Sequence, residues 1–393
     1  MSEPHITLSS PLLDGNELKY LQDAIQSTWV SSEGPYVGRF EEAVARHAQA
    51  RHAVATVNGT AALHIALLVA GVRPEEEVLV PALTFVATAN AVRYCGAHPV
   101  FMDVEPAWWT LDPEKTREFL EKFVVRKNGE PVNRATGRRL RAILPVHLLG
   151  HPVDMDPIIE AAGQFDLAVV EDACEAIGAR YKGKAVGGLG LAGCFSFNGN
   201  KVITAGGGGM VVTNEDRVAR LARHLTRQAR EPGPEYFHDA IGFNYRLTNV
   251  CAAVGLAQIE RLPEFLKRKR EIAAAYRSAF SGISGIRWMG AARWAEPIWW
   301  LFTVLLSGED GNRGKHLVEH MAAEGIETRR LWHPLHQLPM YQAAQAYQVE
   351  VAPRLYEGAV SLPSSVHLTA GQQRKVVQAV KEYLGGSASR SDD

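Results

Sequence analysis

The sequence predicts an α/β protein: a seven-stranded, mostly parallel sheet with helices on both faces, followed by a smaller α+β C-terminal domain. Three observations carry this. Short β-branched runs alternate with helical patterns from about residue 53 onward. The runs are continuously apolar, as strands covered on both faces are, rather than alternating as one-sided sheets do. A chain of 393 residues with 46% hydrophobic content can bury a large core, and its length suggests one large domain plus a smaller one.

Taken in order, residues 1–35 form an N-terminal segment that contains the small-residue loop Trp29 to Gly34. Residues 36–260 form the large domain. Its seven strands are His52–Val57, Val78–Val80, Pro99–Val104, Ala142–Val146, Leu167–Val170, Gly193–Phe197 and Met210–Thr213. Between the third and fourth, Lys122 to Arg141 is rich in charge, Asn and Gly and reads as an exposed excursion with a short hairpin at Lys127-Asn-Gly-Glu-Pro131. Beyond Arg261-Leu-Pro263 a long charged helix leaves the sheet, and Ile298 to Leu306 opens the small domain, residues 261–385. The Ser/Asp-rich end, 386–393, reads as a disordered tail.

A formal charge of −1 gives no chain-wide attraction to nucleic acid or to an anionic membrane. The basic run Lys267 to Arg270 is flanked by Glu264 and Glu271 and reads as a solvated helix face. The start, Met1-Ser-Glu-Pro-His-Ile6, has neither a charged n-region nor an apolar h-region, and no apolar stretch approaches membrane-spanning length, which predicts a cytoplasmic protein. Four widely spaced cysteines form no CxxC pair, so no metal site is expected; Cys174 and Cys194 read as small packing residues flanking the site.

The chemistry concentrates in two stretches, Val169-Val-Glu-Asp-Ala-Cys-Glu-Ala176 and Cys194 to Gly209. Pyridoxal 5′-phosphate needs a lysine amine to hold its aldehyde carbon and a carboxylate to keep its ring nitrogen protonated. Lys201, between a Phe-Ser-Phe strand end and four consecutive glycines, and Asp172, at the end of a strand, are the two residue types required. Asn58-Gly-Thr60 precedes the apolar helix Ala61 to Leu68, and a helix N-terminus there suits a phosphate or is a plain N-cap. Ligands of open parallel sheets sit beyond the carboxyl ends of the strands, so these residues can converge.

Five ordered stretches make the chain resemble the DegT/StrS sugar aminotransferases, a group of fold-type I pyridoxal phosphate enzymes, over nearly its whole length. They are Val57-Asn-Gly-Thr-Ala-Ala-Leu63, Pro81-Ala-Leu-Thr-Phe-Val-Ala-Thr88, Glu171-Asp-Ala-Cys-Glu-Ala-Ile-Gly178, Phe195 to Gly209, and Gly242-Phe-Asn-Tyr-Arg-Leu-Thr-Asn249. The resemblance implies that Lys201 and Asp172 are catalytic, that Thr60 and Ala61 hold one side of the phosphate and Ser196 the other, with Gly59 and Asn198 also in the cofactor site, and that the Phe85 ring stacks on the pyridine. It also implies that Asn244 reaches the phosphate from the neighbouring subunit of a homodimer. Glu175 stands where many members have Gln against the cofactor's phenolic oxygen; a carboxylate there must be protonated or turned away.

For the substrate, Trp29, Ser31, His147, Arg246, His333 and His336 are candidates, with His336 most like a family histidine at the sugar-nucleotide cleft. The implied reaction moves an amino group, from L-glutamate by resemblance, to C4 of a nucleotide-linked 4-keto-6-deoxy sugar for surface polysaccharide. Phe197 to Lys201, Ala135 to Arg139 and His238 to Arg246 are similar to a subgroup using UDP-N-acetylhexosamines, with GDP-perosamine-type synthases as close neighbours and a GDP or dTDP sugar as the alternative. A sugar dehydratase on this scaffold would carry histidine in place of Lys201. A cofactor-binding regulator would bring a DNA-binding module, for which there is no recognition helix outside the fold.

Overall fold

The computed structural model describes residues 5–308 and 310–388. The seven expected runs form one sheet, joined at an edge by an eighth, two-residue strand. Its order is His52–Thr56, Gly209–Thr213, Ala192–Ser196, Ala168–Asp172, Leu140–Ile143, Glu77–Pro81, His98–Met102, Ala346–Tyr347. Gly209–Thr213 is antiparallel to both neighbours and every other pairing is parallel. The added edge strand comes from the C-terminal part of the chain, and two residues show no periodicity from which to read a strand.

The one antiparallel return explains where the chemistry sits. Parallel neighbours need a crossover helix, but an antiparallel neighbour can be reached by a short loop. The segment from Phe197 to Gly208 is such a loop, and it carries Lys201 above the sheet. The helix Gly59–Val69, apolar nearly all round, packs against the same two strands, which aims its N-terminus at that loop.

The excursion forms the expected hairpin, Val124–Lys127 paired with Glu130–Asn133. Asn128 and Gly129 turn it with φ of 53° and 83°, the left-handed pair that a tight hairpin requires. In the C-terminal part, Ile286–Trp288, Phe302–Leu306, Ala359–Leu362 and Arg329–Arg330 make a separate antiparallel sheet. Helices Leu262–Phe280, Arg313–Ala323 and Ala370–Ala388 accompany it. The last of these runs to Ala388, so the first residues of the expected disordered tail are helical. Extending an established helix by a turn costs little, which composition alone does not register. Residues 389–393 lie outside the described residues. Among the described residues, no helix is long and apolar enough to cross a membrane.

Candidate active site

Lys201 is placed by backbone rather than by packing. The Phe197 N–H donates to Gly208 O at 2.8 Å and the Ala205 N–H to Phe197 O at 2.9 Å, closing the loop at its base. A turn from Lys201 N–H to Asn198 O at 3.0 Å lifts the lysine out. The glycine run has a steric reason: a Cβ on Gly209 would lie 2.3 Å from the Asn58 carbonyl oxygen. Only glycine lets the returning strand pass the start of the helix that close. Lys201 Nζ ends 3.7 Å from Glu175 Oε1 and 3.8 Å from the centre of the Trp300 ring.

Asp172 is 5% exposed at the end of its strand, with both oxygens accepting. The Thr88 hydroxyl donates to Oδ2 at 2.7 Å and the Cys174 N–H to Oδ1 at 3.2 Å. These bonds fix the carboxylate's orientation before any ligand arrives. Thr88 and Thr84 are hydrogen-bonded to each other at 3.2 Å, so the support extends into the next layer.

Opposite, the helix Gly59–Val69 presents its first turn, whose amides have no carbonyl one turn earlier to donate to. Asn58 caps it: its side-chain oxygen accepts from the Ala61 N–H at 2.8 Å. The Ala61 N–H is therefore taken by the cap and the residue is buried, so it is not one of the open donors of this turn. Gly59 and Thr60 are left as the free amide donors of this turn. A Cβ on Gly59 would meet Ser196 Cβ at 2.8 Å and Cys174 Sγ at 3.0 Å, so glycine keeps open the space beside Ser196.

Glu175 resolves its own conflict in two ways. It is 6% exposed, and burial pushes its carboxyl up to about 7, against the opposing pull of Lys201. Its Oε2 accepts the Leu149 N–H at 2.7 Å. Leu149 has φ +54°, a left-handed conformation that branched residues rarely adopt, and that conformation aims its N–H at the carboxyl.

A cavity of about 420 Å³ connects these groups. Of the expected residues, Gly59, Thr60, Phe85, Asp172, Glu175, Ser196, Asn198 and Lys201 line it. Phe85 is 51% exposed, an apolar ring left open beside the carboxylate. Pyridoxal phosphate fits what is present: free first-turn amides and a glycine-cleared space for the phosphate, an open aromatic face, an oriented carboxylate, and a lysine whose amine meets a carboxyl and a ring.

None of the six substrate candidates lines this cavity. His147 is fully buried: its Nδ1 accepts the Val153 N–H at 3.0 Å, so its Nε2 donates to Glu171 at 3.0 Å. Glu171 also accepts from the amides of Gly187, Leu189 and Gly190, each at 2.7 Å. His147 belongs to a structural clamp, which corrects its reading as a substrate contact. Successive strand residues face opposite sides: Asp172 points to the cavity, and Glu171, with His147, points away.

Trp29 and Ser31 are exposed, their carbonyls held by Asn249 side-chain and backbone N–H groups at 2.7 and 2.6 Å. Arg246 pairs with Glu33. His333 is exposed and packs on Tyr356, with ring centres 4.8 Å apart. His336 is half-buried, its Nδ1 without a partner and its charged form disfavoured by burial. Asn244 is exposed, bridged to Arg227, and also outside its own chain's cavity. Sequence reading missed Thr88, Trp300, Arg329 and Trp332. Trp300 stood within an apolar run that reads as plain core; Arg329, a charged residue near the two candidate histidines, was the signal available. No metal was expected; among the described residues His224, Glu231 and Asp239 are close enough to hold one, but they lie away from the cavity and His224 already bonds Asp239 at 2.6 Å.

Comparison with known proteins agrees with this geometry. The profile of the DegT/DnrJ/EryC1/StrS aminotransferase family matches residues 11–381. The chain is 38% identical over 382 residues to a GDP-perosamine synthase of Caulobacter vibrioides, covering 97% of this chain and 99% of that one. It is 35% identical over 357 residues to a dTDP-3-amino-3,4,6-trideoxy-alpha-D-glucose transaminase of Streptomyces venezuelae, covering 89% and 87%. Among solved structures, the aminotransferase TlmJ from Streptoalloteichus hindustanus superposes with a TM-score of 0.88 at 27% identity, covering 98% of this chain and all of that one.

Proposed function

The chain belongs to the DegT/DnrJ/EryC1/StrS aminotransferase family and takes pyridoxal 5′-phosphate as its cofactor; from that premise we propose that it aminates C4 of a GDP-linked 4-keto-6-deoxy sugar, with L-glutamate as donor. The observation that carries the chemistry is the convergence of Lys201, Asp172 and the open first turn at Gly59 on one cavity. The choice of nucleotide moves from UDP, the sequence-based preference, to GDP. Its support is the near-complete coverage of the GDP-perosamine synthase relative, with a dTDP sugar next in line.

When bound, the cofactor supplies an electron sink for the carbanion at the donor's α-carbon. Asp172, held by Thr88 and the Cys174 N–H, keeps the ring nitrogen protonated. Gly59, Thr60 and Ser196 would anchor the phosphate, and Phe85 would supply an apolar face for the ring. Lys201, the one lysine on the cavity wall among the described residues, takes the proton from the donor's α-carbon at Nζ and returns it on the other side of the transfer. The second half-reaction runs the same proton path backwards onto the sugar.

Asn244 completes the phosphate site of a second copy in this proposal. The loop before it leaves Tyr236, Phe237 and Ile241 at 81%, 60% and 86% exposure, an apolar set suited to burial against that copy. A panel of GDP-, dTDP- and UDP-linked 4-keto-6-deoxy sugars with glutamate and cofactor tests the reading. The GDP sugar is expected to have the highest kcat/KM; turnover only with a UDP sugar would overturn the choice of nucleotide, and no turnover with any would overturn sugar amination.

A further inference from the structure

Lys269 is a buried lysine that the chemistry above does not use. It lies on the helix Leu262–Phe280 at 2% exposure, and no carboxylate among the described residues is within ion-pair reach. Burial without a counter-charge pulls its ammonium down to about 7. Placing a cation there is costly, and an apolar side chain of the same length would fill the space at less expense. Its hydrogen bonds show what it holds: Nζ donates to the Trp300 carbonyl at 2.8 Å and to the Ser364 carbonyl.

Trp300 is the residue under Lys201. Its indole N–H donates to Asn200 O at 2.7 Å, next to the lysine, and its backbone N–H donates to Leu149 O at 3.0 Å. Leu149 in turn donates to Glu175, which faces Lys201. The contacts close a ring: Lys201 to Glu175, Glu175 to Leu149, Leu149 to Trp300, and Trp300 back to Lys201 through both its ring face and Asn200. Trp299, with φ +55°, makes the sharp turn that sets the ring in place, a conformation a bulky residue holds only when its surroundings impose it. Lys269 is the fixed point on the far side of that turn.

We propose that Lys269 is a positioning residue for amino transfer: its Nζ, donating, fixes the Trp300 carbonyl, and so the indole on which the free Lys201 amine rests while it carries a proton. The inference rests on the amino-transfer reading. In that reaction the proton leaving the donor's α-carbon is the one Lys201 hands on, so Nζ is a cation between the two transfers, and none is gained or lost. An aromatic face stabilises a desolvated ammonium and also gives it a defined location. Trp300 and Glu175 together keep the loaded Nζ within the cavity instead of letting it turn to solvent.

The test follows acylation of Lys201 by acetic anhydride at one fixed pH, read by peptide mass spectrometry. The full-length chain is used without cofactor and again with pyridoxamine 5′-phosphate, a form that leaves the lysine amine free. Neutral amine is the reactive species, so weakening the ammonium's support raises the rate. Trp300→Leu is expected to speed labelling roughly three- to thirtyfold, the range a cation–ring contact is worth from exposed to desolvated, with Trp300→Phe in between. Lys269→Met is expected to speed it in the same direction by a smaller factor, and to add less than twofold on top of Trp300→Leu, because both act through one ring. Should Trp300→Leu fail to fold, the Trp300→Phe and Lys269→Met pair carries the same comparison, with thermal melting as the control. Folded Lys269→Met protein labelled at the wild-type rate, or effects of the two substitutions that multiply, would overturn the proposal. Labelling uses neither donor nor sugar, so its failure and that of the sugar panel are distinguishable.

Discussion

Glu175→Gln should change how stability depends on pH, and the size of the change follows from the carboxyl's burial. In the unfolded chain a glutamate loses its proton near 4.5; in the folded chain burial raises this to about 7. Between those values the native state binds one proton more than the unfolded state, so wild-type stability falls as pH rises. The two values lie about 2.5 pH units apart, and each unit is worth about 1.4 kcal/mol, so the wild type should lose roughly 3 kcal/mol relative to the glutamine variant between pH 4.5 and 7. Below 4.5 and above 7 the difference should be flat. Urea unfolding of both cofactor-free proteins at half-unit steps from pH 4 to 8 measures it. Curves that stay parallel across the window, or a wild type that gains on the variant as pH rises, would refute the reasoning: the second result would mean that the Lys201 ammonium outweighs burial.

Asp172→Asn should retain the fold, since an amide can still accept from Thr88, yet lower turnover roughly 10²–10³-fold because a neutral group cannot hold the ring proton; steady-state kinetics at saturating cofactor measure it. Gly59→Ala places a methyl 2.8 Å from Ser196 Cβ, so cofactor affinity measured by fluorescence titration should fall at least tenfold, with about 1–3 kcal/mol lost in stability. Mixing Lys201→Ala chains with Asn244→Ala chains should restore activity above both parents, because a heterodimer with Asn244 acting in trans contains one intact site. No recovery in verified heterodimers would return Asn244 to its own chain or to no site.

The sheet, and the convergence of Lys201, Asp172, Ser196 and Phe85 on one cavity, were legible because both depend on local signals. Apolar β-branched runs mark strands, and the ends of those strands are where Asp172, Ser196 and Phe85 stand. The cavity wall around Trp300 was not legible because it depends on backbone conformations that residue types do not announce. Trp300 reads as core from its neighbours Ile298 to Phe302, and is core, at 2% exposure; only the left-handed turn at Trp299 also brings its ring beneath Lys201. His147 shows the converse failure. It stands beyond the right strand, and the pleat sends its side chain to Glu171 on the far face.

Glu175 lies between these cases. The sequence shows a carboxyl where repulsion is expected and offers two escapes, protonation or reorientation; the structure contains both, because Leu149 bends into a left-handed conformation to supply an N–H. A glutamine's carbonyl oxygen would accept that same N–H equally well, so the hydrogen bond does not explain a glutamate here. What glutamine lacks is a proton that can leave near neutral pH at 3.7 Å from the amine that, in the proposed reaction, takes up and releases one. The residue that departs from the common pattern therefore adds a carboxyl that titrates near neutral pH beside Lys201, within the ring of contacts that Trp300 and Leu149 close.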